Sequence, residues 1–142
     1  MALTSYLMDT SVISSRRLER SESAAERVQK LLEERRLSYT LVTALEVNFG
    51  SKGIREWDHR NNMFTAYGSP CEIVARDWER AYHVQMVLAG QGHQGRAIPD
   101  LLIAAAGERT GRAVLHYDAD FDLIAAVTDQ ATEWVVPKGS ID

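Results

Sequence analysis

Five acidic residues are the side chains in this sequence best suited to chemistry: Asp9, Glu46, Asp100, Asp118 and Asp120. Two carboxylates about 4 Å apart repel by roughly 4 kcal/mol at an effective dielectric constant near 20, so a cluster of them needs protons, basic side chains or a cation. Oxygen ligands without His or Cys suit Mg²⁺ or Mn²⁺ better than zinc. A divalent ion held in this way shares phosphate oxygens, and the chemistry that follows is hydrolysis of phosphodiester bonds.

Strands and helices alternate in the elements that must position these acids. Period-2 or short apolar runs predict strands, and a 3.6-residue period predicts helices. Two capping-box sequences, Ser23-Ala24-Ala25-Glu26 and Thr43-Ala44-Leu45-Glu46, predict helix starts. We predict strands at residues 3–8, 37–41, 113–116 and 134–136, a helix from Thr43, and further helices at residues 24–36, 54–67, 76–88, 100–109 and 121–127. This order predicts an α/β fold with a central, mostly parallel sheet flanked by helices.

The acids occupy equivalent places in this scheme. Asp9 and Asp118 each follow a predicted strand, Glu46 lies in the first turn of a helix entered from a strand, and Asp100 opens a helix that leads into the next strand. All four should project from the carboxyl edge of the sheet, where open α/β folds bind ligands, with Asp120 in the adjoining loop.

Each acid also has a purely structural interpretation. Asp9 and Glu46 could cap helices, Asp100 could offset a helix dipole, worth about 0.3–1 kcal/mol, and the other two could be solvated loop acids. Independent caps have no reason to converge on one edge, so the joint arrangement favours a site.

Composition limits the class of protein. The chain has 142 residues, which suits one domain, and its net charge of −4 gives no sign of a nucleic-acid binder, although a basic patch can coexist with an acidic site. A lone Cys71 excludes an internal disulfide and a cysteine-based zinc site. Because no apolar run reaches the roughly 18 residues of a membrane span and no signal peptide is recognisable, we expect a cytoplasmic protein without a membrane partner.

Four segments surround the acids: Tyr6-Leu7-Met8-Asp9-Thr10-Ser11, Val42-Thr43-Ala44-Leu45-Glu46, Ile98-Pro99-Asp100-Leu101-Leu102-Ile103-Ala104-Ala105-Ala106 and Val114-Leu115-His116-Tyr117-Asp118-Ala119-Asp120-Phe121-Asp122. Together these segments resemble the PIN-domain family, and within it the VapC-type toxin ribonucleases of toxin–antitoxin pairs. The resemblance covers nearly the whole chain except residues 53–74 and ends with Trp134-Val135-Val136-Pro137. The resemblance implies a PIN-like three-layer ribonuclease domain at residues 1–137, followed by a short polar tail at residues 138–142.

The resemblance also implies roles for the acids. Asp9, Glu46, Asp100 and Asp118 match the family's acidic quartet, with Asp120 as a frequent fifth member. It implies Mg²⁺-dependent (or Mn²⁺-dependent) cleavage of RNA. Our hypothesis is that Asp9, Asp100 and Asp118 hold the metal, while Glu46 and Asp120 orient a water on it or a second metal.

Three polar residues that lie close in sequence to an acid are candidates for orienting it: Thr10, Ser11 and His116. Thr10, or Ser11 beside it, matches the hydroxyl that orients the first acid in the family. His116 is a departure, because relatives often carry Ser or Thr two residues before the fourth acid, and this leaves the pH dependence of the site open.

Five basic residues are candidates for holding RNA phosphates. Arg16, Arg17 and Arg20 follow the first acid closely, and Lys52 follows Glu46. Such cations could meet phosphates beside the acidic pocket, or could form a solvated basic face. Arg96 precedes Asp100 by four residues and could contact RNA or neutralise the acidic cluster instead.

The resemblance further implies a homodimer inhibited by a cognate antitoxin. The amphipathic helices at residues 24–36 and 54–67 could present apolar faces to a second copy or to an antitoxin helix. A non-catalytic RNA- or protein-binding module of the same fold is the alternative function. It would explain the basic residues but would leave the acidic series unexplained. A metal nuclease acting on structured DNA ranks lower, because the chain lacks an added helical arch.

Overall fold

The computed structural model describes residues 3–14 and 18–141. Two 3-10 helices, Leu18–Arg20 and Asn62–Tyr67, accompany the regular elements. The strands are β1 (Tyr6–Met8), β2 (Leu37–Ser38), β3 (Ala113–His116) and β4 (Thr132–Trp134), and the helices are α1 (Thr10–Ser14), α2 (Glu22–Glu33), α3 (Leu41–Asn48), α4 (Ile54–Asn61), α5 (Ala75–Gly90), α6 (Ile98–Thr110) and α7 (Asp120–Ala126). None of the helices in these ranges combines the length and hydrophobicity that a bilayer crossing requires.

The strands form one sheet in the order β2-β1-β3-β4. Every pairing within the described ranges is parallel, with Tyr6 opposite Leu37 and Ala113, and His116 opposite Trp134. Parallel strands run in the same direction, so their carboxyl ends meet at one edge of the sheet. The predicted α/β fold with a parallel sheet is confirmed.

Helices cover both faces of the sheet. Tyr6 and Met8 pack towards α2 and α1, whereas Leu7 between them packs with α5, α6 and α7 on the opposite face. Alternate residues of a strand point to opposite faces, so a strand covered on both sides is apolar at every position. All four residues of β3 are buried for the same reason. The result is the three-layer arrangement that the family resemblance implied.

Helix α6 is buried over most of its length. Pro99 lies at its first positions, where the missing N–H costs nothing, and Gly111 ends it in the left-handed region at a φ of 69°. Residues 100–107 are all buried. Gly107 lies so close to β3 that an added Cβ would come within 3.2 Å of Val114 Cγ2. The burial of residues 100–107 holds the helix, including its first turn with Asp100, against the rest of the domain.

The predicted start of α2 is wrong by two residues. Ser21, not Ser23, is the N-cap, because its Oγ accepts a hydrogen bond of 3.2 Å from the backbone N–H of Ala24. Ser21 has the extended conformation that a cap requires, whereas Ser23 already lies inside the helix.

Several other predicted elements have different bounds; the strands predicted at residues 3–8 and 37–41, for example, are shorter, at Tyr6–Met8 and Leu37–Ser38. The helix predicted at residues 54–67 becomes a 3-10 helix after Asn61, and this tighter turn brings Phe64 against Tyr39, with ring centroids 4.6 Å apart. The strand predicted at residues 134–136 lies at Thr132–Trp134 instead. Strand β3 ends at His116, whose carbonyl accepts the N–H of Val135 at 2.8 Å, and the ladder does not continue past it.

The predicted polar tail at residues 138–142, as far as it is described, lies against the domain. The hydroxyl of Tyr117 donates to the carbonyl of Ile141 at 3.2 Å, and Ile141 packs against the core. The domain boundary at residue 137 stays a prediction.

Candidate metal and catalytic site

The carboxyl edge of the sheet carries the first acid at the end of its central strand. Asp9 follows β1 directly, and its N–H donates to the carbonyl of Leu115 on β3 at 2.9 Å, extending the strand pairing by one residue. The carbonyl of Asp9 accepts the N–H of Val12 at 3.1 Å as α1 begins. The side chain is therefore fixed between a strand and a helix, with only 3% of the residue exposed.

Three of the predicted acids lie within ligand distance of one another. Carboxylate oxygens of Asp100, Asp118 and Asp120 all lie within 4.8 Å of each other. Asp100 comes from the first turn of α6, Asp120 begins α7, and Asp118 lies in the turn that links β3 to α7. The N–H of Asp120 donates to Asp118 Oδ1 at 2.9 Å, which fixes the two acids relative to each other.

The charges of the four other predicted acids all act on Asp100. Burial, together with the smaller effect of the negative charges of the four other acids, raises the pKa of Asp100 to about 8. The residue is 7% exposed, so water screens these charges poorly. We call these five acids the acidic cluster: Asp100, Asp118 and Asp120 lie within 4.8 Å of one another, and Asp9 and Glu46 lie near enough for their charges to act on Asp100.

Asp9 is the second strongly perturbed acid. Its pKa is raised to about 6: burial raises it most, the charge of Glu46 adds to that effect, and hydrogen bonds from Ser11 and Thr10 lower it. Its Oδ2 accepts the N–H of Ser11 at 3.0 Å. Its Oδ1 is buried and has no hydrogen-bond partner in the described part of the chain.

These observations are those expected of a hard-cation site. A buried carboxylate oxygen without a donor is costly unless a proton or cation reaches it. Here that oxygen belongs to an acid whose charge acts on Asp100, and three further carboxylates of the cluster offer oxygen ligands. The donor set is all oxygen, which fits Mg²⁺ or Mn²⁺.

Glu46 lies on a helix that begins earlier than predicted. The N-cap of α3 is Thr40, whose Oγ1 accepts the N–H of Thr43 at 3.4 Å, so the predicted capping box at Thr43 is wrong. The Thr43 hydroxyl instead donates to the carbonyl of Met8 at 3.3 Å and ties α3 to the end of β1. Glu46 is therefore not part of a helix cap, and its carboxylate accepts a hydrogen bond of 2.6 Å from the hydroxyl of Thr10.

The two predicted hydroxyl residues divide their contacts. Thr10 holds Glu46, whereas Ser11 holds Asp9 through its backbone N–H. The Ser11 Oγ also accepts the N–H of Tyr117 at 2.9 Å, which joins the end of β1 to the turn before Asp118. The sequence left these two roles open. Thr40 and Thr43 were missed as positioning residues, and the signal that could have found them is a hydroxyl pair directly after a strand.

His116 lies beneath the fourth acid. Its Nδ1 accepts the N–H of Asp118 at 3.1 Å, and its ring packs between Phe121 and Trp134 at centroid distances of 4.8 and 4.9 Å. Burial lowers the pKa of His116 to about 4, more than the charge of Asp122 raises it. The imidazole is therefore neutral at physiological pH, with its proton on Nε2.

The basic residues differ in their relation to the cluster. Arg96 Nη1 donates to Asp120 Oδ1 at 2.6 Å, which matches the second of the two alternatives for this residue, neutralisation of the cluster. Arg20 and Lys52 are exposed and remain predictions as RNA contacts. Arg16 and Arg17 lie outside the described residues.

Comparisons with known proteins agree with this geometry. The PIN domain family matches residues 6–127. The chain is 47% identical over 137 residues to Ribonuclease VapC51 of Mycobacterium tuberculosis, which covers 96% of this chain and 97% of that protein. It is 38% identical over 141 residues to Ribonuclease VapC21 of the same species, covering 96% and 98%. A chain of the DNA-bound VapBC crystal structure from Salmonella typhimurium has the same fold, with a TM-score of 0.74 at 14% identity over 94% of this chain and 100% of that one.

Proposed function

Because this chain belongs to the PIN-domain family and has VapC ribonucleases as relatives, we propose that it is a metal-dependent endoribonuclease and the toxin of a toxin–antitoxin pair. The observation that carries the proposal is the five-acid cluster around Asp100, in which three carboxylates lie within 4.8 Å. A non-catalytic module would have no need to keep such a repulsive group of acids at a sheet edge. A cytoplasmic location is part of the proposal, since cellular RNA is the substrate.

Asp9, Asp100 and Asp118 would hold Mg²⁺ or Mn²⁺. Their support comes from the buried, unpartnered Asp9 Oδ1 and from the burial of Asp100. When bound, the cation supplies positive charge at the phosphate and makes a water more acidic. It would also bring the pKa of Asp100 down, because an adjacent positive charge favours the carboxylate.

The other two acids act on the water and on the substrate side of the cluster. Glu46 is exposed and is held by the short Thr10 hydrogen bond, so its second oxygen can accept a proton from an attacking water. The backbone N–H of Asp120 fixes this residue to Asp118, and the Asp120 carboxylate can also orient the attacking water. In-line attack at phosphorus would leave a 5′-phosphate and a 3′-hydroxyl.

The test is cleavage of total cellular RNA by the purified chain, with sequencing of the new 5′ ends. We expect cleavage with Mg²⁺ or Mn²⁺, none in excess EDTA, and a loss of at least about 100-fold in Asp9→Asn and Asp100→Asn. Asp122→Asn is the matched control, because Asp122 lies two residues after Asp120 but its carboxylate accepts from Trp134 Nε1 at 3.1 Å. Full activity of Asp100→Asn, or activity in EDTA, would contradict the proposal.

An antitoxin helix has a suitable groove beside the site. The groove encloses about 290 Å³ and runs between α1, α2 and the 3-10 helix at Asn62–Tyr67. Its lining is mostly apolar: Met8, Val12, Ile13, Leu18, Ala24, Ala25, Val28, Met63 and Tyr67, with Glu19. This supports the proposal that an amphipathic helix of an antitoxin docks here, next to Asp9. Val28→Glu should abolish binding of the cognate antitoxin without loss of RNA cleavage.

A homodimer is the second proposed assembly. Exposed apolar side chains lie on α3, α5 and the start of α6, among them Leu45, Trp78, Tyr82 and Ile98 at 58–78% exposure. Large exposed apolar residues on adjacent helices are typical of an interface between subunits. Light scattering should give twice the mass of one chain for the wild type and the mass of a single chain for Tyr82→Glu. A wild type that scatters as a monomer at 100 µM, about a hundred times a typical micromolar Kd, would contradict the dimer.

A further inference from the structure

Arg96 pairs with one acid of the cluster through one nitrogen, as Arg27, Arg36 and Arg60 do with their own partners. A single hydrogen bond of 2.6 Å joins its Nη1 to Asp120 Oδ1, and its Nε is buried without a partner in the described part of the chain. Arg80 and Arg109, in contrast, each hold a carboxylate with two nitrogens, on Glu108 and Asp77 respectively. The Arg96 pair is thus a one-point contact, which is easier to exchange than a two-point one.

The carboxylate that Arg96 holds belongs to the proposed metal site. Asp120 is one of the three acids whose oxygens lie within 4.8 Å of one another. Within the described ranges, the Arg96–Asp120 contact is the ion pair that reaches the cluster. Both side chains are half-buried, at 27% and 29% exposure, so water weakens the attraction only in part.

We infer that Arg96 is the counter-ion of the acidic cluster in the metal-free protein, and that it competes with the divalent cation for Asp120. The inference rests on the proposed function and adds to it a residue that regulates metal binding. Without metal, the guanidinium offsets the repulsion among the acids and stabilises the fold. When a divalent cation enters between Asp9, Asp100 and Asp118, Asp120 turns from Arg96 to a water on that cation or to a second cation. Binding must therefore displace Arg96 and is less tight than the acids alone would allow.

The test is the Mn²⁺ affinity of Arg96→Gln, measured by isothermal titration calorimetry on the full chain, together with the melting temperature without metal. Losing a half-buried competing pair should tighten Mn²⁺ binding about two- to fivefold. The same variant should melt at a lower temperature than the wild type without metal. Saturating Mn²⁺ should remove that difference, because ligand binding to the folded state stabilises it by mass action.

Two variants keep the test specific. Arg80→Gln breaks the half-buried ion pair between Arg80 on α5 and Glu108 on α6. Glu108 lies eight residues along α6 from Asp100, which is roughly 12 Å. It should lower the melting temperature and leave the Mn²⁺ affinity unchanged. Arg96→Lys keeps the charge and should bind Mn²⁺ as the wild type does.

The outcomes separate this inference from the proposed function. Unchanged or weaker Mn²⁺ binding by Arg96→Gln, in a wild type that binds Mn²⁺ and cleaves RNA, would overturn the competition and leave the ribonuclease proposal intact. A tightening that Arg80→Gln reproduces would overturn it as well. Absence of Mn²⁺ binding by both the wild type and Arg96→Gln would overturn both proposals.

Discussion

Nδ1 of His116 accepts the backbone N–H of Asp118 at 3.1 Å, so the buried imidazole sets the direction in which the fourth acid leaves the sheet. A neutral ring is required, because Nδ1 can accept only when it carries no proton. Burial provides for this by lowering the pKa of His116 to about 4.

The first prediction separates that acceptor from the packing of the ring. His116→Leu keeps an apolar side chain between Phe121 and Trp134 but removes the acceptor, and it should weaken Mg²⁺ binding roughly tenfold. His116→Asn restores an acceptor that can reach the N–H two residues on, and should recover much of the affinity despite a lower melting temperature. Calorimetric titration with Mg²⁺ checks both. Wild-type affinity in His116→Leu would show that the hydrogen bond has no positioning role.

The second prediction concerns pH in the absence of metal. The folded-state pKa of Asp100 is raised to about 8 and that of Asp9 to about 6, both above the ordinary value of 3.8. The folded state therefore holds protons that the unfolded chain has released, and stability falls as pH rises from about 4 to about 8. The melting temperature of the metal-free protein should drop between pH 6 and pH 8, at about 4 °C per kcal/mol.

Adding Mg²⁺ and replacing Asp100 with a neutral side chain should each remove this pH dependence. Mg²⁺ requires the ionised carboxylate, so the rise in melting temperature on adding Mg²⁺ should be larger at pH 8 than at pH 6. Asp100→Asn should melt above the wild type at pH 8 without metal, because it carries no buried charge. A metal-free melting temperature that increases steadily from pH 6 to pH 8 would mean that the buried acids do not titrate as the structure indicates.

The third prediction tests the hydrogen bond between Thr10 and Glu46. Thr10→Val preserves the shape of the side chain and removes the donor, so Glu46 loses its fixed orientation. RNA cleavage should fall roughly 10- to 100-fold in kcat, with little change in KM. Thr10→Ser keeps a hydroxyl and should recover most of the rate. Equal rates for Thr10→Val and the wild type would remove Thr10 from the proposed mechanism.

The fourth prediction concerns the packing of α6 at Gly107. A Cβ on Gly107 would lie 3.1 Å from the carbonyl of Arg112 and from Gln130 Nε2. Gly107→Ala should therefore cost about 1–3 kcal/mol through overpacking, which exceeds the gain of about 1 kcal/mol that alanine brings to a helix. Urea denaturation measures the change. Gly90→Ala, where an added Cβ meets nothing within 4 Å, is the control and should not destabilise the protein.

Much of the fold could be predicted because its signals are local. Strand β3 has the predicted bounds, since a short apolar run between a glycine-terminated helix and an acidic loop leaves few alternatives. Helix α6 was found from Pro99 and Gly111 for the same reason. The position of the acids followed from topology, because residues after parallel strands share an edge.

Other features depend on contacts that no local pattern encodes. Thr43 has the sequence of a cap, yet the carbonyl of Met8, 35 residues earlier, takes its hydroxyl. Arg96 could have met RNA or an acid, and only the approach of α7 brings Asp120 within 2.6 Å. The hydroxyl of Thr10 donates a hydrogen bond to Glu46, which lies 36 residues later in the sequence. Caps, ion pairs and second contacts of this kind are decided by how the layers pack, after the elements themselves have formed.

The most direct test of the central claim is anomalous diffraction at the manganese edge from crystals grown with Mn²⁺. We predict a peak bounded by the carboxylates of Asp9, Asp100 and Asp118, with Asp9 Oδ1 among its ligands, and no such peak in Asp100→Asn. A wild-type crystal in which this position stays empty at saturating Mn²⁺, while the same preparation cleaves RNA, would contradict the account.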